Sequence, residues 1–239
     1  MNINFILHNL ESKYDKGLFY EIFINEEYKL LKPYIDKIDT FFDIWAYKWF
    51  FSIWLLKNWF KENLILVEPL KHNIKIAKEM IRKFIKINNL KLNWKIKFIN
   101  AALKSDLSKN KEFVIDLNKP WQSRFNIQID NKKIYKFFKI SNYKINKNVT
   151  IVSIDNLLTL GKNKIAIKLD IEWEEIPLIL KKGRLSKVDL LIFEYHLFNK
   201  TLKENFKKVN FILQQVFKNT FICPSKYTSN IWIYLATNL

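Results

Sequence analysis

Asp39-Thr-Phe-Phe-Asp-Ile-Trp-Ala-Tyr-Lys-Trp-Phe-Phe-Ser52 is the stretch on which the reading of the chain turns. The apolar pair Phe41 and Phe42 ends in an acid, Asp43, and a helical stretch opens soon after. A buried strand, an acid, a tight turn and a helix are the parts of a loop that cradles a nucleotide cofactor. Glycines belong in such a turn, because it needs unusual dihedrals and its backbone must come close to a ligand. Trp45 and Trp49 stand there instead. Either the site is blocked, or these tryptophans are not what the organism makes.

Outward from this loop, apolar runs alternate with amphipathic stretches, the pattern of an α/β domain with a mainly parallel sheet. Residues 40–44 predict a first strand and 48–58 the helix after it. Leu64–Val67 is a second strand ending at Glu68-Pro69. Ile74, Ala77, Ile81, Phe84 and Ile85 recur at helical spacing within 73–87. Ile96–Ile99 makes a third strand, running into Asn100-Ala101. Residues 104–150 break the rhythm with short β-like runs (113–117, 125–129, 134–140) and predict a β excursion beside the site. Regular order resumes with the strand 165–169 ending at Asp170, a helix over 174–182, and the strand 188–193 ending at Glu194. A helix over 202–217 and two terminal strands, 221–223 and 231–235, complete it. Residues 1–35 read as a helical lead-in to a single domain over 36–239.

The chain has 239 residues, 49% of them hydrophobic, enough for one domain with a sizeable core. The single cysteine, Cys223, excludes an internal disulfide and fits a reducing cytoplasm. No secretory signal is evident at the start. The most apolar stretch, 49–60, is too short to span a bilayer, so a soluble, cytoplasmic protein is expected. The net charge of +18 invites a nucleic-acid partner. Against that, only Arg82, Arg124 and Arg184 among the 41 basic residues are arginine, and specific base and phosphate recognition recruits arginine forks. Lysine-rich, isoleucine-rich, asparagine-rich composition is also what AT-rich codons produce. An RNA methyltransferase remains an alternative on charge alone.

Five polar residues close the predicted strands: Asp43, Glu68, Asn100, Asp170 and Glu194. In open α/β sheets ligands bind outside these carboxyl ends. Glu68 lies 25 residues beyond Asp43, the place of an acid that binds a ribose hydroxyl pair. The sequence lacks a P-loop, a nucleophile elbow, and any Cys/His spacing that would hold a metal. What remains is an organic nucleotide bound through its ribose without a phosphate grip, which suits S-adenosylmethionine better than a dinucleotide.

Here the chain resembles a known family. Asp43-Ile-Trp-Ala-Tyr-Lys-Trp-Phe-Phe-Ser52 is similar to the first motif of FkbM-type methyltransferases, DIGAxxGxFS, with both glycines changed to tryptophan. Val67-Glu68-Pro69 with Asn73 resembles EPxxxN, and Phe98–Leu103 resembles the third-strand segment. Ser153–Leu158 resembles TLDDL. Lys168–Glu175 resembles KIDVEGxE, with Trp173 for glycine, and Leu180–Gly183 and Ile192–His196 continue the order. The resemblance spans about residues 20–200. It implies a Rossmann-like class I methyltransferase fold: a mainly parallel sheet with helices on both faces, an antiparallel terminal strand and a β-rich insertion. It implies S-adenosylmethionine as cofactor and a small-molecule or glycan acceptor, methylated at a hydroxyl. The Asp43 loop, with Trp45, Ala46, Tyr47 and Trp49, would hold the methionine part. Glu68 would hold the ribose, Asn100 and Ala101 the adenine side, and Asp170 would lie near the transferable methyl. Glu194 and His196 are candidates to accept the acceptor's proton, with Asp170 assisting orientation.

Three family glycines, at 45, 49 and 173, are all tryptophan, while the whole chain holds only Gly17, Gly161 and Gly183. Ordinary proteins carry about 7% glycine. One cause unites the two anomalies: UGA is read as glycine in some bacterial lineages and as tryptophan in others. Trp121 after Pro120 fits the same account, and Trp59 and Trp94 are further candidates. Trp54 and Trp232, inside apolar runs, read as core tryptophans. If the tryptophans are genuine, the alternative is a degenerate, cofactor-free homologue acting as a binding protein.

Overall fold

The computed structural model describes residues 3–93, 95–105, 112–117, 123–125, 128–129, 132–133, 142–146, 148–171, 175–181, 185–197, 200–226 and 230–239. Seven strands form its central sheet: β1 (Thr40–Ile44), β2 (Asn63–Val67), β3 (Lys97–Ile99), β4 (Ile165–Leu169), β5 (Leu190–His196), β6 (Asn219–Pro224) and β7 (Ile231–Thr237). Their order is β3-β2-β1-β4-β5-β7-β6. The five strands from β3 to β5 run parallel, and β7 pairs antiparallel with both β5 and β6. The chain order therefore reverses between β1 and β4. This is the Rossmann-like α/β arrangement that the resemblance implied.

Helices cover both faces, and the period of two along each strand decides what they meet. Along β1, Phe42 and Ile44 face one core, where they join Ile167, Leu169, Leu178, Val209 and Leu213. Those partners come from β4 and from α6 (Glu175–Leu180) and α7 (Lys200–Val216), with α5 (Ile154–Leu158) beside them. Phe41 faces the opposite core with Leu64, Leu66 and Ala166, under α3 (Phe50–Lys57) and α4 (Lys71–Ile87). α4 is amphipathic, burying Ile74, Ala77, Ile81 and Phe84. α3 is different: every residue from Phe50 to Leu56 is buried. A helix apolar all round needs cover on all sides, and the lead-in supplies the outer one.

The lead-in begins with α1 (Ile3–His8) and α2 (Lys13–Phe19), the second capped reciprocally by Ser12 and Asp15. A π-helical turn, Tyr20–Ile24, and a 3-10 helix, Lys29–Lys37, follow. Phe19, Ile22, Phe23, Tyr28 and Leu31 are buried against α3 and the sheet. Polar contacts pin the segment to the loop after β1: Lys48 Nζ donates to Glu11 Oε2 at 2.9 Å and to Asp15 Oδ2 at 3.0 Å.

Within 104–150 the described residues are β-rich. Ala102–Leu103 pairs in parallel with Ile151–Val152, which the sequence did not predict. Phe113–Asp116 lies between Arg124–Phe125 and Tyr143–Asn146, both antiparallel to it. The predicted run 125–129 is two short pieces, Arg124–Phe125 and Gln128–Ile129, the latter paired with Lys132–Lys133. The predicted strand 134–140 lies outside the described residues. Among the described residues, no helix is long and apolar enough to cross a membrane.

The Lys48 contact yields the first prediction. Asp15 is 1% exposed, so removing its cation strands a buried charge. Lys48→Met is expected to lower unfolding free energy by about 3 kcal/mol. Chemical denaturation measures this, and an unchanged midpoint would contradict the anchoring role.

Candidate functional site

The reversal of strand order between β1 and β4 opens the sheet's carboxyl edge, where an α/β sheet binds ligands. A cavity of about 180 Å³ lies there, walled in part by Trp45, Ala46, Tyr47, Asp170, Glu194 and His196. Six of the predicted site residues are thus brought together. Glu68, Asn100, Ala101, Asp43 and Trp49 do not line the cavity.

Asp43 points to the α3 side and is wholly buried. Its Oδ2 accepts a 2.7 Å hydrogen bond from Ser52 Oγ, and its Oδ1 lies 3.7 Å from Lys168 Nζ. The parallel register sets Asp43 beside Lys168, so the pairing follows from strand alignment. Lys168 Nζ also donates to the Trp45 carbonyl at 3.2 Å and lies 3.5 Å from Asp170 Oδ2. Burial pushes its ammonium down, but Asp170, Asp43 and Glu194 outweigh that and hold its pKa above the ordinary value. Burial pushes the Asp43 carboxyl up, against Lys168 and Ser52, which favour the anion.

Glu68 is spent on its own loop. Its Oε2 accepts from Tyr47 N–H at 3.0 Å, and its Oε1 from Leu70 N–H at 2.9 Å and Asn73 Nδ2 at 3.1 Å. Burial pushes the carboxyl up to about 8 against these three donors. Asn100 Nδ2 donates to the carbonyls of Glu68 and Pro69, both at 2.9 Å, fixing the turn after β2. Trp49 caps α3 without a side-chain bond, 1% exposed and stacked on Phe50 at 4.1 Å. Trp45 is 4% exposed; its Nε1–H donates to Ser123 O at 3.2 Å and its ring lies 5.6 Å from Phe113. The β excursion therefore meets the loop through this indole. Trp173 and Glu172 lie outside the described residues.

Sequence reasoning missed the wall that the lead-in contributes. Glu21 and Ile22, from the π-helical turn, line the cavity with Tyr28. Tyr28 OH donates to Glu194 Oε1 at 3.2 Å. Glu21, Glu27 and Glu194 each bring a carboxylate oxygen within 4.8 Å of the others. Burial pushes Glu21 up to about 11, helped by its hydrogen bond with Glu27 and by the charges of Glu194 and Asp170. At neutral pH a proton on Glu21 therefore relieves this carboxylate crowd. The one trace in the sequence was the set of three acids, Glu21, Glu26 and Glu27, inside the apolar pattern of 18–31, and helix–solvent patterning explains such acids equally well.

No family model and no curated protein matches the chain. Among solved structures it is similar to the bifunctional kinase-methyltransferase WbdD, with 10% identity and TM-score 0.47 over 99% of this chain and 46% of that one. It is similar to the methyltransferase FkbM of Methylobacillus flagellatus, at 13% identity and TM-score 0.48, over 98% of this chain and 57% of that one. The O-methyltransferase of Bacillus cereus, in complex with SAH, gives 8% identity and TM-score 0.47, over 96% and 83%. The chain spans about half the length of WbdD and FkbM.

The residues present do not fit the cofactor that such a fold implies. Sites for cofactor-sized molecules measure roughly 300–1,000 Å³, well above the cavity beside Trp45. The Trp45 indole forms part of that cavity's wall, and the Glu68 carboxyl already holds three donors.

The raised acids fix a pH dependence. Glu21 and Glu68 have folded pKa values of about 11 and about 8 against 4.5 for the free side chain. Each stabilises fully below about pH 4.5, and that contribution is lost as pH rises through the folded value. The melting midpoint is expected to fall between pH 5 and pH 9. Glu21→Gln should flatten the fall, recovering about 3 °C at pH 9. Scanning calorimetry of both proteins checks this, and parallel slopes would contradict it.

Proposed function

We propose that the protein, with glycine standing at 45 and 49, is an S-adenosylmethionine-dependent methyltransferase acting on a hydroxyl of a sugar or small metabolite in the cytoplasm. One observation carries the proposal: Asp170, Glu194, His196 and Tyr28 converge on one cavity at the strand-order reversal of a β3-β2-β1-β4-β5-β7-β6 sheet. Of the residues in the motifs that the sequence resembles, Trp45, Ala46 and Tyr47 after β1, Asp170 after β4, and Glu194 and His196 of β5 line this cavity. When bound, the cofactor would supply an electrophilic methyl group. Glu194 and His196, both on the cavity wall, would serve as the base that accepts the acceptor's hydroxyl proton. Tyr28 orients Glu194 through its hydroxyl, and Asp170 is held by Lys168. Leu18 and Ile22 of the lead-in, with Phe50, Phe51 and Ile231, give the cavity its apolar lining.

In the chain as written, Trp45 excludes the cofactor, so the polar groups have no methyl source. A second reading follows from the same indole. Its bond to Ser123 O and its contact with Phe113 make it part of a continuous packed wall, as in a cofactor-free binding protein.

Isothermal calorimetry separates the two. The chain as written is expected to bind S-adenosylmethionine weakly or not at all, and Trp45→Gly with Trp49→Gly to bind it at least 10-fold more tightly (about 1.4 kcal/mol). Tight binding by the chain as written would refute the steric argument. No binding by the folded double variant would favour the binding protein.

A further inference from the structure

Trp59 lies outside every family motif and outside the candidate site, at the end of α3. That helix closes with a paired hydrogen-bond signature: Phe60 N–H donates to Leu55 O at 3.1 Å, and Trp59 N–H to Leu56 O at 3.2 Å. In this Schellman arrangement the residue after the cap turns left-handed, and glycine is its usual occupant because a Cβ there is crowded. Residue 59 has φ 69°. The accompanying apolar contact is made by Phe60, 2% exposed, whereas the Trp59 indole is 69% exposed. Tryptophan here carries the strain of the left-handed region and gains little burial in return.

Trp45 shares only the positive φ, 64°, directly after β1, and its indole is buried; at 45 the second observation is the first glycine of the DIGAxxGxFS motif that the sequence resembles. Four other non-glycine residues share positive φ: Glu26, Tyr47, Asn89 and Asn163. Asparagine tolerates this region, and Tyr47 is held by its N–H bond to Glu68. Positive φ alone therefore does not single out position 59; its conjunction with the Schellman bonds and an exposed indole does. Trp54 is the opposite case, sitting in α3 at 1% exposure and stacked on Phe51. Meanwhile neither Gly17 nor Gly161 has positive φ. A chain with three glycines in 239 residues places tryptophan where its turns ask for glycine.

We infer that residues 45 and 59 are glycine in the protein made by its own cells, encoded by TGA codons that those cells decode as glycine. The inference at 59 is independent of the proposed function, because the turn after α3 takes no part in the site. Position 49 has φ −147°, which glycine and tryptophan both adopt, so its backbone does not tell the two apart. Positions 94, 121 and 173 lie outside the described residues. At 45, glycine removes the indole that forms part of the cavity's wall, and with it the misfit described above.

The coding DNA and the mass spectrum of the protein isolated from its source organism test this directly. TGA is expected at 45 and 59, TGG at 54, and glycine by mass at 59. A TGG codon or a tryptophan mass at 59 overturns the inference. In the recombinant chain, Trp59→Gly is expected to raise the melting midpoint by about 2–4 °C, while Trp54→Gly lowers it. A lowered midpoint for Trp59→Gly would overturn the claim that this backbone asks for glycine. Confirmed glycine codons combined with no S-adenosylmethionine binding would sink the proposed function and leave this inference standing.

Discussion

The ammonium of Lys168, 4% exposed, reaches Asp43, Asp170 and the Trp45 carbonyl from the middle of the sheet. Burying Asp43 without a cation nearby would carry a large desolvation cost, and so would burying Lys168 without its carboxylates. Together they hold β1 to β4 at the point where strand order reverses. They also fix the loop between β1 and α3, because Lys168 donates to the carbonyl of the first residue beyond β1. The position of the cavity depends on this contact. A hydrophobic pair could hold two strands together, but it would not orient Asp170 or the loop carbonyl.

Around that centre, polar groups serve the loop's own backbone. Glu68 satisfies Tyr47 N–H and Leu70 N–H, and Asn100 satisfies two carbonyls of the turn after β2. A loop bearing left-handed residues at 45 and 47 needs this support, since each such residue costs about 1–2 kcal/mol. Strain of this kind gathers at functional loops. At Tyr47 the Glu68 carboxylate holds it in place. At Trp59 the structure holds the same strain with no ligand-facing role.

Much of the architecture was legible in the sequence. The alternation of apolar runs with amphipathic stretches located the strands to within about two residues, because parallel strands buried on both faces read as continuous apolar runs. The acids that end those runs were legible for the same reason, since polarity returns where the chain leaves the sheet. Element ends were less legible: Leu190–His196 runs three residues past its predicted end because β7 pairs with it along its whole length. The short parallel pair of Ala102–Leu103 with Ile151–Val152 left no local signal, since each piece is two residues long and they meet across the β excursion.

The sequence by itself determined the fold class, the strand-end acids and the anomaly of tryptophan in glycine places, because each is a pattern of residue types along the chain. Tertiary structure alone decided which of those acids share a cavity. Asp170 and Glu194 face it, while Asp43 and Glu68 turn inward to Lys168 and to backbone N–H groups. It also brought Glu21 and Tyr28 from the lead-in to Glu194, a contact spanning 166 residues that no local pattern encodes. Finally it set Trp45 and Trp59 on left-handed backbone, while Trp54 fills the core that its apolar run predicted. Dihedral strain belongs to the folded chain, and the sequence does not show it.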